Sequence, residues 1–290
     1  GGAWWHKAGR EGTIAGIETA LDLGMNFLDT YPGQDERSWG DVLAEGGRRQ
    51  RVYLQAKVSC HVRNERTSDH SAARTRSSVE ASLRDFRTDY LDSVLIHGYD
   101  QPEQMQDSDI VDPLAPGNAL EELLRMKEEG KVRHIGIGAR SAEVHRRAIA
   151  TGKIELILTY LEYNLLTQAA DAELFPLCRE QDVGVILASP LAMGLLTGAE
   201  PNPQDEQRKI RDMTEPRAHG MWRWCRDRDV DIRHLAIQYC MAAPVDGFVL
   251  PGQASVDEVR TSFEAGTVIV SGEVWGEFGE EFGIDVGGLV

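Results

Sequence analysis

Three short apolar segments of this chain each end on an ionisable residue that opens a polar loop, and a helical pattern separates each from the next. The clearest is YLDSVLIH, residues 90–97, where Leu91, Val94, Leu95 and Ile96 form an apolar run without clean alternation. Such a run fits a strand covered on both faces. It stops at His97, where the polar, Pro-containing loop GYDQPEQM begins. MNFLD likewise delivers Asp29 to TYPGQDE, and RVYLQAK delivers Lys57 to VSCHVRN. The carboxyl ends of parallel strands share one face, and in a closed β/α barrel they converge on one pocket. The recurrence predicts a catalytic face built from Asp29, Lys57 and His97. Taken singly, each has a plainer explanation: Lys57 leaving the core for solvent, His97 capping a loop, Asp29 opening an Asx-type turn. Together they form an acid/base set, because a lysine paired with an aspartate perturbs a nearby phenol or imidazole. A metal centre is disfavoured, since one imidazole and one carboxylate fall short of the three protein ligands of a catalytic zinc.

The repeated unit is strand, polar loop, helix. Strands are predicted at 25–29, 51–57, 91–97, 132–137, 154–160, 183–188 and 246–251. Thr13 to Leu23 opens the helical series, with Ile14, Ile17, Ala20 and Leu21 on its buried face and Gly24 as its stop. The fold class is α/β, a (β/α)8 barrel in one domain over residues 1–290, with GGAWW supplying the end of a short or truncated first strand. An open doubly wound sheet competes, but no GxGxxG opens the first helix, and GIGA at 136–139 is only a weak glycine cluster. GGAWWHKAGREG reads as a loop at a pocket mouth. Segment 98–117 is a long polar excursion of the kind that serves as a lid, a binding loop or a disordered stretch, and 201–216 is the most polar region and has no regular period. Ser255 followed by Glu258 has capping-box spacing, and 268–290 reads as a glycine-rich tail with a marginal helix near 272–282.

A formal charge of −16 argues against nucleic-acid or anionic-membrane surfaces as partners. No apolar run approaches the length of a membrane span, and the expected setting is cytoplasmic. Cys60, Cys178, Cys225 and Cys240 lack paired metal-ligand spacing and read as buried thiols. The expected partner is a small molecule, with a homo-oligomer left open.

The blocks GMNFLDT, VYLQAK, YLDSVLIH, LEELLRMKEEGKVRHIGIG, LEYNLL, VGVILASPLAMGLLTG and LAIQYCMAAPVDGFVLPGQASVDEV follow one another along nearly the whole chain. In content and order they resemble the aldo-keto reductase superfamily, and WRWCRDRDVD with the GIG after VRHI resembles its bacterial sugar and pyridoxal dehydrogenase branch. The resemblance implies an eight-stranded barrel that binds NAD or NADP in extended form, and an Asp-Tyr-Lys-His pocket in which the tyrosine moves a proton. It places Asp29, Lys57 and His97 in that set. It also implies cofactor contacts at Gly138, Glu162, Asn164, Ser189, Leu191, Gly194, Leu195, Gly252, Ser255, Glu258 and Ser262.

Two departures stand out. The family tyrosine lies five residues beyond the aspartate, where this chain has Gln34; the nearby phenol, Tyr31, is the candidate acid/base in its place, with His97 next. The family's Ser-Asn pair after the fifth strand is replaced by Gly138-Ala139. NAD is expected over NADP, because the block from Gly252 to Glu258 lacks the two cations that NADP-dependent relatives aim at the 2′-phosphate. Trp4, Trp5 and His6 are expected to line the substrate mouth. The leading function is oxidoreduction between carbonyl and alcohol, or sugar hemiacetal and lactone, on a small polar substrate. The alternative is a homologue with an altered catalytic set acting as a lyase or cofactor-binding regulatory protein.

Overall fold

The computed structural model describes residues 1–2, 5–30, 35–58, 69–97, 111–201 and 215–290. Seven parallel strands follow one another in sequence order: β1 (Phe27–Asp29), β2 (Tyr53–Val58), β3 (Leu91–His97), β4 (Val132–Ala139), β5 (Leu156–Tyr160), β6 (Gly184–Ala188) and β7 (Gly247–Leu250). Helices α1 (Gly9–Asp22), α2 (Glu36–Leu43), α3 (Ala72–Phe86), α4 (Ala119–Glu128), α5 (Ala142–Ile149) and α6 (Ala169–Glu180) cover the outside of the curled sheet. They continue with α7 (Glu215–Asp227), α8 (Ile232–Met241), α9 (Val256–Thr267) and α10 (Gly272–Phe282). All seven predicted strands are present. They form a barrel open between β7 and β1, as a (β/α)8 barrel with a truncated first strand requires. An apolar cleft of about 550 Å³ lies at that opening, and the nitrogen of Gly1 bridges its upper end by donating to the Pro251 carbonyl at 2.9 Å.

The pleat sorts the strand residues into two sets. Outward side chains such as Leu54, Val94, Ile96, Ile135, Ile137 and Val185 pack against the helices in the main core. Inward ones form a separate small cluster of Leu95, Leu158, Ile186 and Leu250, joined by Phe27, Leu156, Tyr160 and Ala188. Burial on both faces is why YLDSVLIH lacks alternation, and all seven residues of β3 are buried.

At the amino ends of the strands, Asp92 accepts from Arg49 Nη2 and Arg133 Nη1, each at 2.9 Å, and from the Leu54 amide at 3.0 Å. Both guanidiniums also stack on Tyr90, 4.0 and 3.8 Å from its ring centre. This knot fixes the register of β2, β3 and β4 at the face opposite the candidate site.

Three expectations change. α1 starts at Gly9 rather than Thr13, and a 3-10 turn (Trp5–Lys7) precedes it, because Trp5 anchors the segment. The Trp5 ring fills the space beside Gly16, where a Cβ would stand 1.9 Å from its Cη2. The tail helix is firm: Trp275 and Phe278 are fully buried, and Phe278 packs edge-on against Trp224 at 5.2 Å. Cys178, Cys225 and Cys240 are buried free thiols, as expected, and Cys60 lies outside the described residues. Among the described residues, no helix is long and apolar enough to cross a membrane.

Candidate active site

The upper, carboxyl ends of the strands bring Asp29, Lys57 and His97 onto the barrel's interior face, all buried. Lys57 Nζ donates to Asp29 Oδ1 and, at 3.0 Å, to the Thr30 carbonyl. Gln55 Nε2 donates to the same Asp29 oxygen at 2.7 Å, while Gln55 Oε1 accepts from Ser93 Oγ at 2.8 Å. Ser93, Gln55, Asp29 and Lys57 thus tie three strands together through side chains. A buried ion pair is tolerated only when such extra hydrogen bonds offset the desolvation of both charges. Gln55 was not singled out in the sequence; its position two residues before Lys57, on the same strand face, is the signal that would have found it. His97 stands beside Gly138 in the β3–β4 register, and a Cβ on Gly138 would lie 3.3 Å from His97 Cδ2. Glycine there leaves the imidazole room.

Beyond the ends of β6 and β7 runs a groove of about 540 Å³. It is lined by Ser189, Leu191, Gly194, Gly252, Glu258 and Ser262, six of the expected cofactor contacts, together with Lys7, Thr197, Arg233 and Thr261. Its floor is strained: Ser189, Ala192 and Met193 hold φ of 63°, 48° and 54°, a region non-glycine residues rarely occupy. Five other expected contacts, Gly138, Glu162, Asn164, Leu195 and Ser255, do not line it. Leu195 is buried in the core, and Ser255 caps α9, its Oγ accepting from the Glu258 amide at 3.2 Å. Glu258 in turn accepts from the Ala254 amide at 2.6 Å, the reciprocal bond of a capping box. Arg233 is engaged by Asp231, the α8 cap, through Nε at 2.9 and 3.0 Å.

The sequence pattern of the Aldo/keto reductase family matches residues 1–280. The chain belongs to that family. L-galactose dehydrogenase of Arabidopsis thaliana is 30% identical over 280 residues, spanning 93% of this chain and 82% of the relative. D-threo-aldose 1-dehydrogenase of a Pseudomonas species is 27% identical, over 91% of this chain and 86% of its own length. Among solved structures, the holo form of an aldo-keto reductase from Bacillus halodurans superposes with a TM-score of 0.71 at 26% identity, covering 94% of this chain and 87% of that one.

Other expected site residues of this aldo/keto reductase family member are placed differently or not at all. Tyr31, Gln34 and Trp4 lie outside the described residues, as does the side chain of His6. Trp5 is 4% exposed; it packs in the core beside Gly16 and borders the apolar cleft between β7 and β1. Glu162 pairs with Arg140, and Asn164 is fully buried, its Oδ1 accepting from the Leu166 amide at 2.9 Å. Asn164 therefore shapes its own turn. The β5 residue that reaches the interior is Tyr160, which ends its strand just as Asp29 and His97 end theirs. The strand-end rule that selected those residues would have selected Tyr160 too.

Glu36, at the start of α2, is a buried carboxyl behind the site. Both its oxygens accept from Ser82 Oγ, at 3.2 and 3.0 Å, and Oε1 accepts from Thr30 Oγ1 at 3.4 Å. Burial pushes its pKa up to about 7, opposed by the Ser82 bond, raised further by Asp85 and lowered by the Thr30 bond. Thr30 is shared, since its carbonyl holds Lys57.

Proposed function

We propose that this protein is a nicotinamide-dependent oxidoreductase that interconverts a carbonyl and an alcohol, or a sugar hemiacetal and a lactone, on a small polar substrate. The observation that carries the reading is the buried Lys57–Asp29 pair on the same interior face as His97, in a barrel whose neighbouring groove is lined by six of the residues expected to hold a dinucleotide. What supports such a group there is a lining that joins strained backbone at Ser189 and Met193, hydroxyls of Ser189, Thr197, Thr261 and Ser262, and the cation Lys7. When bound, the nicotinamide supplies or accepts hydride.

The chain's residues do the rest. Ser189, Leu191, Gly194 and Gly252 hold the dinucleotide along the groove. Asp29, itself held by Gln55, and the Thr30 carbonyl fix the Lys57 ammonium, which stabilises negative charge on an adjacent phenol or substrate oxygen. His97 orients that oxygen, and Tyr31 or His97 moves its proton. Glu258 at the rim, and Arg233 already neutralised by Asp231, favour NAD over NADP.

Substrate class rests on the two sugar dehydrogenases among the relatives. The test is loss of reduced-nicotinamide absorbance with a panel of aldehydes, and its appearance with aldoses and oxidised cofactor. No cofactor turnover with any member of either panel, in protein shown to be folded, would overturn the reading in favour of a lyase or regulatory homologue.

A further inference from the structure

We infer that Gln55 and Ser93 are positioning residues for the reaction, an inference that rests on reading the Lys57–Asp29 pair as part of an oxidoreductase site. Gln55 is the register partner of Asp29 across β1 and β2, and of Ser93 across β2 and β3. The three side chains therefore form one polar row over the inner face of three strands, and all three are buried. Elsewhere the inner face carries Leu95, Leu158, Ile186 and Leu250. Stability alone would be served by apolar side chains in the row as well. Burying an amide and a hydroxyl costs free energy that their hydrogen bonds only offset, and replacing such a pair by apolar groups of similar shape can be nearly neutral.

The row has a direction. Asp29 Oδ1, ion-paired with Lys57, only accepts, so the Gln55 atom 2.7 Å from it is the amide nitrogen. Gln55 Oε1 then faces Ser93, whose hydroxyl donates to it at 2.8 Å. Each bond fixes the next. The Ser93 hydroxyl holds the amide against the half-turn that would set its oxygen against the Asp29 carboxylate. The amide N–H in turn holds that carboxylate, whose terminal torsion is broad and is placed by its donors. The same oxygen accepts from Lys57 Nζ, so the ammonium follows the carboxylate. A displacement of about 1 Å at a reacting group can cost roughly 10²-fold in rate. Neither Gln55 nor Ser93 lines the groove, so the row acts on the chemical step and leaves dinucleotide binding alone.

The experiment measures kcat, KM and calorimetric affinity for oxidised NAD and NADP in the parent, Gln55→Met, Ser93→Ala, Ser93→Thr and the double variant Gln55→Met with Ser93→Ala. The substrate is whichever aldehyde or aldose the parent turns over, and circular dichroism confirms that each variant is folded. Gln55→Met keeps the volume and removes the donor; its kcat is expected to fall roughly 10–100-fold, with KM and dinucleotide affinity within about twofold of the parent. Ser93→Ala frees the amide and should lower kcat about 3–10-fold, the effect of one hydrogen bond. Ser93→Thr restores the hydroxyl and should recover the parent's kcat, since Ser93 borders a cavity of about 220 Å³ that has room for the added methyl. The double variant should be no slower than Gln55→Met by more than about twofold, because Ser93 acts only through Gln55. Ser93→Ala and Ser93→Thr carry the test if Gln55→Met unfolds. Unchanged kcat in the folded variants, dinucleotide affinity falling in step with kcat, losses that multiply in the double variant, or Ser93→Thr as slow as Ser93→Ala would overturn the positioning role alone. A folded parent that turns over no member of either panel would overturn the oxidoreductase reading, and the positioning role with it.

Discussion

Glu36→Gln should flatten the pH dependence of stability between about pH 5 and pH 8, a window in which few other carboxyls titrate. Glu36 is 6% exposed, its hydrogen bonds come from two neutral hydroxyls, and its nearest charged neighbour is another acid, Asp85. Burial therefore raises its pKa in the folded state from 4.5 to about 7. A raised folded pKa means that the neutral form suits the fold. The associated stability is fully present below pH 4.5 and is lost as pH rises through about 7. With those two values, the cost of ionising Glu36 in place is roughly 1 kcal/mol at pH 5 and about 3 kcal/mol at pH 8. Glutamine keeps an oxygen for Ser82 and cannot ionise, so the variant escapes this cost. The assay is urea unfolding of both proteins at closely spaced pH values, read as the difference between them. Taking the difference matters, because the net charge of −16 adds a repulsion that both proteins share. The Gln variant should gain on the parent by about 2 kcal/mol between those pH values. Parallel pH curves would show that Glu36 is already ionised in the folded protein, and the reasoning would fail.

Lys57→Met should cut turnover by about 10²–10⁴-fold and, by leaving Asp29 buried without its cation, cost roughly 3–5 kcal/mol of stability. Lys57→Met combined with Asp29→Asn should restore most of the stability in thermal unfolding and none of the turnover. Tyr31→Phe should abolish most turnover while barely changing cofactor affinity; if its pH–rate profile matches the parent and His97→Gln is dead, proton transfer belongs to His97. Calorimetric titration should find NAD tighter than NADP, and Glu258→Gln should narrow the gap by removing the charge that repels the 2′-phosphate; equal binding of both by the parent refutes the preference.

The fold was legible because each strand is a short apolar run stopped by a polar loop, a pattern that burial on both faces of a parallel sheet imposes. Asp29, Lys57 and His97 were legible for the same reason, since a charged residue ending such a run has only the pocket face to occupy. Trp5 was misread because a tryptophan near glycines looks like a loop residue until Gly16, eleven places on, is seen to make room for its ring. Asn164 and Leu195 show what family order in a block leaves unread, since it does not say which side chains a turn or the core takes for itself. Gln55 and Tyr160 were missed from the opposite side: one sits two residues inside a strand and the other ends one, and neither is acidic or basic. The search had been for charge. Yet Gln55 holds Asp29 in place, and Tyr160 ends β5 beside Ala188 of β6. A barrel mouth is read better by asking, strand by strand, which residue faces inward at the last position and how large its neighbours are. By that rule the described residues at the mouth of this chain include an acid, a lysine, an imidazole and a phenol: Asp29, Lys57, His97 and Tyr160.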